Sequence, residues 1–300
     1  MDINRTSMNA LFQGFNMQFQ NGLGMAPDSW KQFSVAIPSA GASTIYPFLE
    51  QFGGMREWLG DRQVKNLSSR KMEVVNRDFE DTVSVRRNDI EDEQYGFYGT
   101  MIAQMGQNAG KLWQEISVDA LKSSDSWIDG SAFFGDSRKY DGTNAIVNSA
   151  DSALSESTFN AAYQAMMEYK GHNGKSLGVQ PSLLIVGPKL RVGAWNILKN
   201  EFSYDATDKV QVQNVNKNVC DLLILNELSG TYDDYWFLAD TKGIIKPCVV
   251  QQRQVPKLTR MDKDNDENVF MRKEYIYGTD ARGEAFLSFP HLIYRGGTNI

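Results

Sequence analysis

The chain has 300 residues, of which 41% are hydrophobic and 23% charged, and its formal net charge is −6. These proportions are those of an ordinary folded protein, and they exclude intrinsic disorder and collagen-like repetition. The acidic balance also excludes a protein whose main task is to coat DNA, because phosphate binding needs clustered lysine and arginine. A chain of this length forms one or two domains and buries roughly 75% of its unfolded surface.

Cysteine content and apolar patterning exclude two further classes of protein. Cys220 and Cys248 are the only cysteines, so a disulfide framework and a four-cysteine zinc site are excluded, and two buried free thiols are expected. The first residues lack the basic and then apolar segments of a secretory signal. The longest apolar runs, such as 222–225, are too short to span a bilayer. We therefore expect folding in a cytoplasm.

Residues 1–32 predict an arm with one short helix that ends near Gly22 and Gly24. The arm has too little apolar surface for a core of its own, so we expect it to lie on another part of the protein. Its apolar residues have helical spacing at Met8, Leu11, Phe12, Phe15 and Phe19.

Residues 33–49 predict an extended segment that Pro38 and Pro47 restrict to a sheet edge or to turns. The next residues, 50–90, predict a long β-hairpin with two polar faces. Between positions 56 and 92 the chain has eight basic and nine acidic residues but few apolar ones, and strand-like alternation comes late. Such a hairpin is barely stable alone in water, so it needs a partner of complementary charge.

The most regular pattern is a helix over 91–123. Apolar residues repeat there at steps of three and four, and acidic residues at 91–93 stand where the helix dipole favours negative charge. Gly106 and Gly110 lower the stability of a helix. We explain these two glycines by the close approach of another backbone.

The second half of the chain predicts an α/β region followed by strands. A continuous apolar run indicates a buried strand, and Gly171 ends the helix before it. From Gly243 onward the pattern indicates strands that are broken at Pro256, at the acidic turn 262–267 and at Gly278. The predicted elements of the α/β region are a helix at about 156–170, a strand at 181–188, a helix at 189–200 and strands at 222–225 and 236–239.

Two patterns resemble chemical motifs but fail at defining positions. Residues 171–176 contain the Gly-Lys-Ser of a phosphate-binding loop, but Tyr169 replaces its first glycine and the segment follows a helix. Residues 262–266 resemble a calcium loop, but Glu267 and Lys273 stand where glycine and glutamate are needed. A solvated acidic turn is favoured there, with an adventitious divalent ion as the alternative. With two histidines and no nucleophile motif, we expect no catalytic residue, no metal and no cofactor.

The order of arm, strand, polar hairpin, long helix and α/β region is accompanied by six sequence blocks. The blocks are Trp30 with 36–39 (AIPS), 56–62 (REWLGDR), 79–85 (FEDTVSV), 89–96 (DIEDEQYG), 181–194 and 277–282 (YGTDAR). In order and content they resemble the Mu-like major head subunit family, which has the Hong Kong 97-type phage capsid fold. The resemblance spans nearly the whole chain, and its most specific blocks are those at 56–62 and 89–96.

The resemblance implies an α+β fold in six parts, with peripheral and axial domains. These are an N-terminal arm at 1–32, the first part of the peripheral domain at 33–50, an extended loop at 51–90, a spine helix at 91–124, an axial domain at 125–245, and returning strands of the peripheral domain with a C-terminal segment at 246–300.

The resemblance also implies a function. A protein of this family is the major capsid protein of a tailed bacteriophage, not an enzyme, and assembles as hexamers and pentamers into the icosahedral shell around the viral DNA. Its implied partners are copies of itself, a portal, a decoration protein and packaged double-stranded DNA held by non-specific contacts, with no membrane. Because arm-like sequence begins at Met1, we expect scaffolding to be a separate protein. The implied location is the virion, after assembly in the cytoplasm of the bacterial host.

Charged residues of the extended loop are the candidate inter-subunit contacts. In some relatives a loop lysine is cross-linked to a neighbour's asparagine, but no partner motif accompanies Lys65 or Lys71, and no cross-link is expected. The candidates are Arg56, Asp61, Arg62, Lys65, Arg70, Lys71, Arg77, Glu80, Asp81, Arg86 and Arg87.

Two other readings stay open on the sequence alone. One is a phage-encoded enzyme with an unrecognised site, which a convergent cluster of titratable groups would support. The other is a minor virion component, such as a portal or decoration protein.

Reversal of four loop charges tests whether the polar hairpin binds a neighbour. We expect that changing Arg62, Lys65, Arg70 and Lys71 together to Glu leaves a folded subunit that forms no stable shells, while any single reversal has little effect. Each exposed pair contributes only about 0–1 kcal/mol, but several pairs recur at every interface and are salt-sensitive. Circular dichroism and electron microscopy measure the two properties, and wild-type-like shells from the fourfold variant would contradict the prediction.

Overall fold

The computed structural model describes residues 4–47, 71–92, 95–140, 142–205, 210–263 and 265–298. None of the described helices is long and apolar enough to cross a bilayer. The helices are α1 (Arg5–Gly24), α2 (Trp30–Phe33), α3 (Arg87–Glu91), α4 (Tyr95–Lys122), α5 (Glu156–Glu168), α6 (Arg191–Leu198) and α7 (Glu267–Arg272), with 3₁₀ turns at Pro188–Leu190, Gly230–Tyr232 and Pro290–Leu292.

The strands form two larger sheets and three two-stranded ribbons. The four-stranded sheet has the order β1-β13-β14-β4, and the five-stranded sheet has the order β11-β8-β12-β15-β7. The strands are β1 (Ser34–Pro38), β2 (Ser43–Pro47), β3 (Lys71–Val75), β4 (Arg77–Arg86), β5 (Arg138–Lys139), β6 (Ala145–Ile146), β7 (Ser149–Asp151), β8 (Leu183–Val186), β9 (Phe202–Asp205), β10 (Val210–Gln213), β11 (Asp221–Ile224), β12 (Trp236–Ala239), β13 (Cys248–Met261), β14 (Glu274–Leu287) and β15 (Ile293–Gly297).

The four-stranded sheet is built on the long antiparallel pair β13–β14, and β1 lies at its edge, as Pro38 requires. The predicted breaks at Pro256 and Gly278 are wrong, because β13 and β14 run through both residues. Val255 and Pro256 together oppose the single residue Ala281, and this bulge accommodates a proline that has no N–H to donate. Gly278 lies in register between neighbouring strands, where a Cβ would stand only 3.3 Å from the hydroxyl of Thr82.

The strand β4 corrects the prediction of a hairpin with two polar faces. It pairs with β14 along its whole length, from Arg86 opposite Glu274 to Arg77 opposite Gly283. Val85 of this strand is fully buried and points to the core. The sequence does not reveal this buried face, because Val85 is the one fully buried residue in a strand that is otherwise rich in charged residues. The part of the predicted hairpin at 48–70 lies outside the described residues.

The five-stranded sheet confirms the buried strands predicted in the α/β region. All four residues of β8 and of β12 are buried, and β8 is flanked by parallel β11 and antiparallel β12. The C-terminal strand β15 lies in this sheet between β12 and β7. Local sequence patterns cannot predict this pairing, because it joins residues that are far apart in the chain.

Helix α1 packs along α4 through glycines, which confirms that the glycines of the long helix mark a close backbone approach. A Cβ at Gly106 would overlap the carbonyl group of Phe19, and one at Gly22 would overlap that of Ala103. The predicted short arm helix is wrong in length, because α1 has 20 residues. It begins at Arg5, where the Asn4 side chain accepts a hydrogen bond from the Ser7 N–H at 2.9 Å.

The long helix that the periodicity predicts is confirmed as α4, which has 28 residues and is about 42 Å long. It begins at Tyr95, later than predicted, because Arg87–Glu91 forms the separate helix α3. One core joins Ile102 and Met105 of α4 to α1. The other core joins the later part of α4, including Trp113, to both sheets.

Two alanine substitutions in α4 test the role of close packing. Gly106→Ala should lower the free energy of unfolding by about 1–3 kcal/mol, because its Cβ meets the backbone of α1. Gly99→Ala is the matched control, since the nearest atom to its Cβ would be the flexible Gln18 side chain at 3.9 Å. That variant should raise the free energy of unfolding by about 0.5–1 kcal/mol through helix propensity. Urea unfolding of both variants measures this, and equal effects would contradict glycine-dependent packing.

Candidate inter-subunit contact surfaces

The ribbon β2–β3, called here the hairpin base, joins the two ends of the segment that carries five of the eleven candidate contacts. Its strands pair antiparallel from Ser43 opposite Val75 to Pro47 opposite Lys71. Five candidates, at positions 56, 61, 62, 65 and 70, lie outside the described residues. The other six lie on β3, on β4 and at the start of α3. They are therefore distributed along these three consecutive elements.

A buried polar network fastens this base to the four-stranded sheet. The amide of Asn76 donates to Ser39 Oγ at 3.1 Å and to the carbonyl of Gly41 at 2.9 Å. Fully buried Gln251 of β13 donates to Asn76 Oδ1 at 2.7 Å and accepts a hydrogen bond from the Tyr46 hydroxyl at 2.8 Å. These buried hydrogen bonds together restrict the direction in which the β2–β3 ribbon leaves the four-stranded sheet. Sequence reasoning missed Asn76 and Gln251, because isolated amides carry no recognisable pattern.

Two of the described candidates form ion pairs within the chain. The guanidinium of Arg77 makes a two-point contact with the Glu284 carboxylate of β14, with Nη2 to Oε1 at 2.9 Å. The hydrogen bond to Glu284 raises the pKa of Arg77. Arg87 donates from Nε to Glu91 Oε1 at 3.1 Å along α3. These two pairs hold β4 and α3 in place, so their charges are partly used inside the subunit.

The remaining described candidates present charge outward. Lys71, Asp81 and Arg86 are exposed and form no ion pair within the part of the chain that the structure describes. Glu80 is also exposed and accepts a hydrogen bond from the Thr82 hydroxyl at 2.9 Å. These four residues keep the charge needed to contact a neighbour.

Exposed apolar side chains mark further contact surface. Val192 and Trp195 of α6 are 61% and 54% exposed, and Phe202 at the start of β9 is 56% exposed. Phe270 and Met271 of α7, which contacts β14, are 80% and 70% exposed. Large apolar groups left in solvent are typical of surfaces that are covered in an assembly.

Both motif-like segments have polar groups that contact the chain itself. In the 171–176 turn the Gly171 amide donates to the Lys175 carbonyl at 2.9 Å, and the Gly174 amide donates to Gly171 at 2.8 Å, so these amides are turned toward the chain itself. In the acidic turn Asp262 pairs with Arg260 at 3.2 Å. Across the described ranges, no three potential metal-ligating side chains cluster.

Both cysteines are buried free thiols, as expected. Burial raises the pKa of Cys220 and of Cys248 to about 12. At neutral pH such thiols stay protonated, and they are poor nucleophiles.

A family model described as "Mu-like prophage major head subunit gpT" matches the chain over residues 8–153, 143–228 and 221–299. The matched segments together cover nearly all of the sequence. The chain belongs to the Mu-like prophage major head subunit family. This head subunit is 26% identical over 290 residues to the Mu-like prophage FluMu major head subunit of Haemophilus influenzae, covering 95% of the chain and 72% of the relative. It is 22% identical to the major capsid protein of Escherichia phage Mu over 295 residues, covering 96% and 73%.

Solved capsid structures share the fold of the head subunit. A chain of the bacteriophage JBD30 procapsid is 27% identical, with a TM-score of 0.60, and the match covers 99% of the head subunit and 77% of that chain. A virus-like particle from Pyrococcus furiosus is 12% identical and has a TM-score of 0.55, covering 95% and 98%. The α+β Hong Kong 97-like fold expected from the sequence is therefore confirmed. The head subunit is a structural capsid protein of a phage virion and self-associates into shells.

Removal of the buried amide of Asn76 tests whether the polar network supports the hairpin base. Asn76→Ala removes two donated bonds and leaves the Gln251 amide short of a partner. We expect the free energy of unfolding to fall by about 1–3 kcal/mol. Exposed Asn88 is the matched control, and its replacement by alanine should change stability by less than about 0.5 kcal/mol. Urea unfolding of both variants gives the comparison, and similar midpoints would show that the network contributes nothing.

Proposed function

We propose that the head subunit assembles as hexamers and pentamers into the closed icosahedral shell that encloses the DNA of a tailed phage, and that it has no enzymatic role. The observation that carries the proposal is the family match over almost the whole chain, together with the procapsid chain that shares its fold. Self-complementary surfaces repeated on identical subunits lead to closed symmetric assemblies.

The surface of the subunit supports an obligate assembly. Exposed Trp195, Phe202 and Phe270 lie on three different elements, and several exposed charges on β3 and β4 form no ion pair with other described residues. Permanent interfaces of this kind bury about 2,000 Å² or more in total. Several such surfaces on one subunit fit a protein that contacts more than one neighbour at once.

The six-part division expected from the sequence is part of this proposal. We assign the four-stranded sheet with α4 to the peripheral domain, and the five-stranded sheet to the axial domain around the five- and six-fold axes. On this assignment β4 belongs with the peripheral sheet, because it pairs with β14 throughout. The C-terminal strand β15 belongs with the axial sheet, because it pairs with β12.

The proposed partners beyond the subunit itself are a separate scaffolding protein, a portal, a decoration protein and packaged DNA. A decoration partner is supported by the JBD30 capsid described as "decorated with minor capsid protein trimers", which is 24% identical with a TM-score of 0.58. The net charge of −6 fits a container in which DNA is held by confinement and counterions, with non-specific contacts limited to local basic groups. Assembly takes place in the cytoplasm of the bacterial host.

Electron microscopy of particles from host cells producing the head subunit with its phage's assembly proteins tests the function. The expected result is closed shells whose surface shows rings of six and five subunits. Measurements of bound zinc and of ATP turnover test the absence of enzymatic chemistry. Both should be at background in the wild-type protein and unchanged in Lys175→Ala. Small soluble oligomers in place of shells, or ATP turnover that Lys175→Ala abolishes, would contradict the proposal.

A further inference from the structure

Arg295 is a charged residue in the middle of the five-stranded sheet. It lies on β15, opposite Phe237 of β12 and Ser149 of β7, and its backbone N–H donates to the Asn148 carbonyl at 2.9 Å. Only 7% of the residue is exposed. A guanidinium so placed has lost most of its contact with water.

The surroundings of the guanidinium are aromatic. Its central carbon lies 4.3 Å from the ring centroid of Phe134 and 5.6 Å from that of Tyr235. Nε and Nη1 are enclosed without a hydrogen-bond partner, which leaves Nη2 as the nitrogen that a partner can reach. No carboxylate of the described residues pairs with Arg295, and burial lowers its pKa.

The same fold contains a second buried arginine that is fully paired. Arg138 is 8% exposed and lies 5.0 Å from the ring of Trp127. Its Nε donates to Asp129 Oδ2 at 2.7 Å, and Nη1 donates to the Phe133 carbonyl at 3.1 Å. Among the described residues, therefore, Arg138 has the partners that a buried arginine needs and Arg295 lacks them.

The partner that compensates the charge of Arg295 must approach its accessible nitrogen, Nη2. A carboxylate oxygen accepts a charge-assisted hydrogen bond from such a donor and brings the opposite charge, and the neighbouring aromatic rings restrict the direction of the guanidinium. One isolated arginine is not the basic cluster that binding to a nucleic-acid backbone needs. The chain has 37 acidic and 31 basic residues, so neighbouring copies offer carboxylates in excess.

We propose that Arg295 is an inter-subunit contact residue whose guanidinium binds a carboxylate of a neighbouring copy of this chain in the assembled shell. The inference rests on the shell assembly proposed above. It adds a contact in the five-stranded sheet, far in sequence from the charged loop. The free subunit then carries an uncompensated buried charge, and assembly compensates it.

Replacement of each buried arginine by methionine separates this role from a structural one. In the unassembled subunit Arg295→Met should leave the melting temperature unchanged or raise it by about 2–4 °C, because it removes an unpaired buried charge. Arg138→Met is the matched control and should lower the melting temperature, because it leaves Asp129 unpaired.

In assembled particles the Arg295 variant should show the opposite effect. Shells of Arg295→Met should dissociate at a lower denaturant concentration than wild-type shells, and assembly should require at least about tenfold more subunit, because a neighbour's carboxylate has lost its partner. A lower melting temperature of the free variant, or shells as stable as wild type, would overturn the inference while leaving the shell function intact. Absence of shells from the wild-type protein itself would instead overturn the proposed function.

A high-resolution reconstruction of wild-type shells tests the contact directly. The expected result is a carboxylate of a neighbouring subunit within hydrogen-bond distance of the Arg295 guanidinium. A guanidinium that contacts only its own chain and solvent, or a nucleic-acid phosphate, would overturn the inference.

Discussion

The packing of helix α4 is the constraint on which the rest of the subunit depends. Its first half contributes Ile102 and Met105 to the core shared with α1, and its second half contributes Trp113 and Leu121 to the core shared with both sheets. Neither core can form without this helix. Close approach is possible on both sides because a glycine lies at each contact. Gly106 of α4 lies against α1, and Gly283 of β14 lies against the Trp113 ring. Since protein interiors are close-packed, even one added methyl group at such a position must displace a neighbour.

The subunit separates charges that stabilise its own fold from charges left for an assembly. Arg77 binds Glu284 across the four-stranded sheet, and Arg138 binds Asp129. Lys71 on β3 and Arg86 at the far end of β4, by contrast, are exposed. This division gives a physical basis for a protein that folds as a single chain and then associates with copies of itself.

Sequence patterning predicted the elements whose signal is local. Helical spacing identified α4, and the apolar runs identified β8 and β12 before their positions in the sheet were known. The explanation of Gly106 as a close backbone approach is confirmed, because only such a contact offsets the propensity cost of a helical glycine. The family resemblance extended these local predictions to the overall fold.

Long-range features could not be predicted in the same way. Pro256 normally ends a strand, but a bulge opposite Ala281 depends on the partner strand and allows β13 to continue. The buried face of β4 exists only because β14 pairs with it, and β15 joins a sheet formed mostly by residues that precede it by many positions. Likewise, no local pattern marks Gln251 or Arg295, whose importance comes from burial among residues distant in sequence. The contact role of the loop candidates stays a prediction.

The copy number of this protein in purified phage heads tests the central claim most directly. Quantitative mass spectrometry of intact heads, calibrated against the portal protein, gives the number without any assumption about the fold. A shell subunit must be present in hundreds of identical copies, because closed icosahedral symmetry repeats one chain over the whole surface. About a dozen copies or fewer per head would identify a minor virion component and contradict the account.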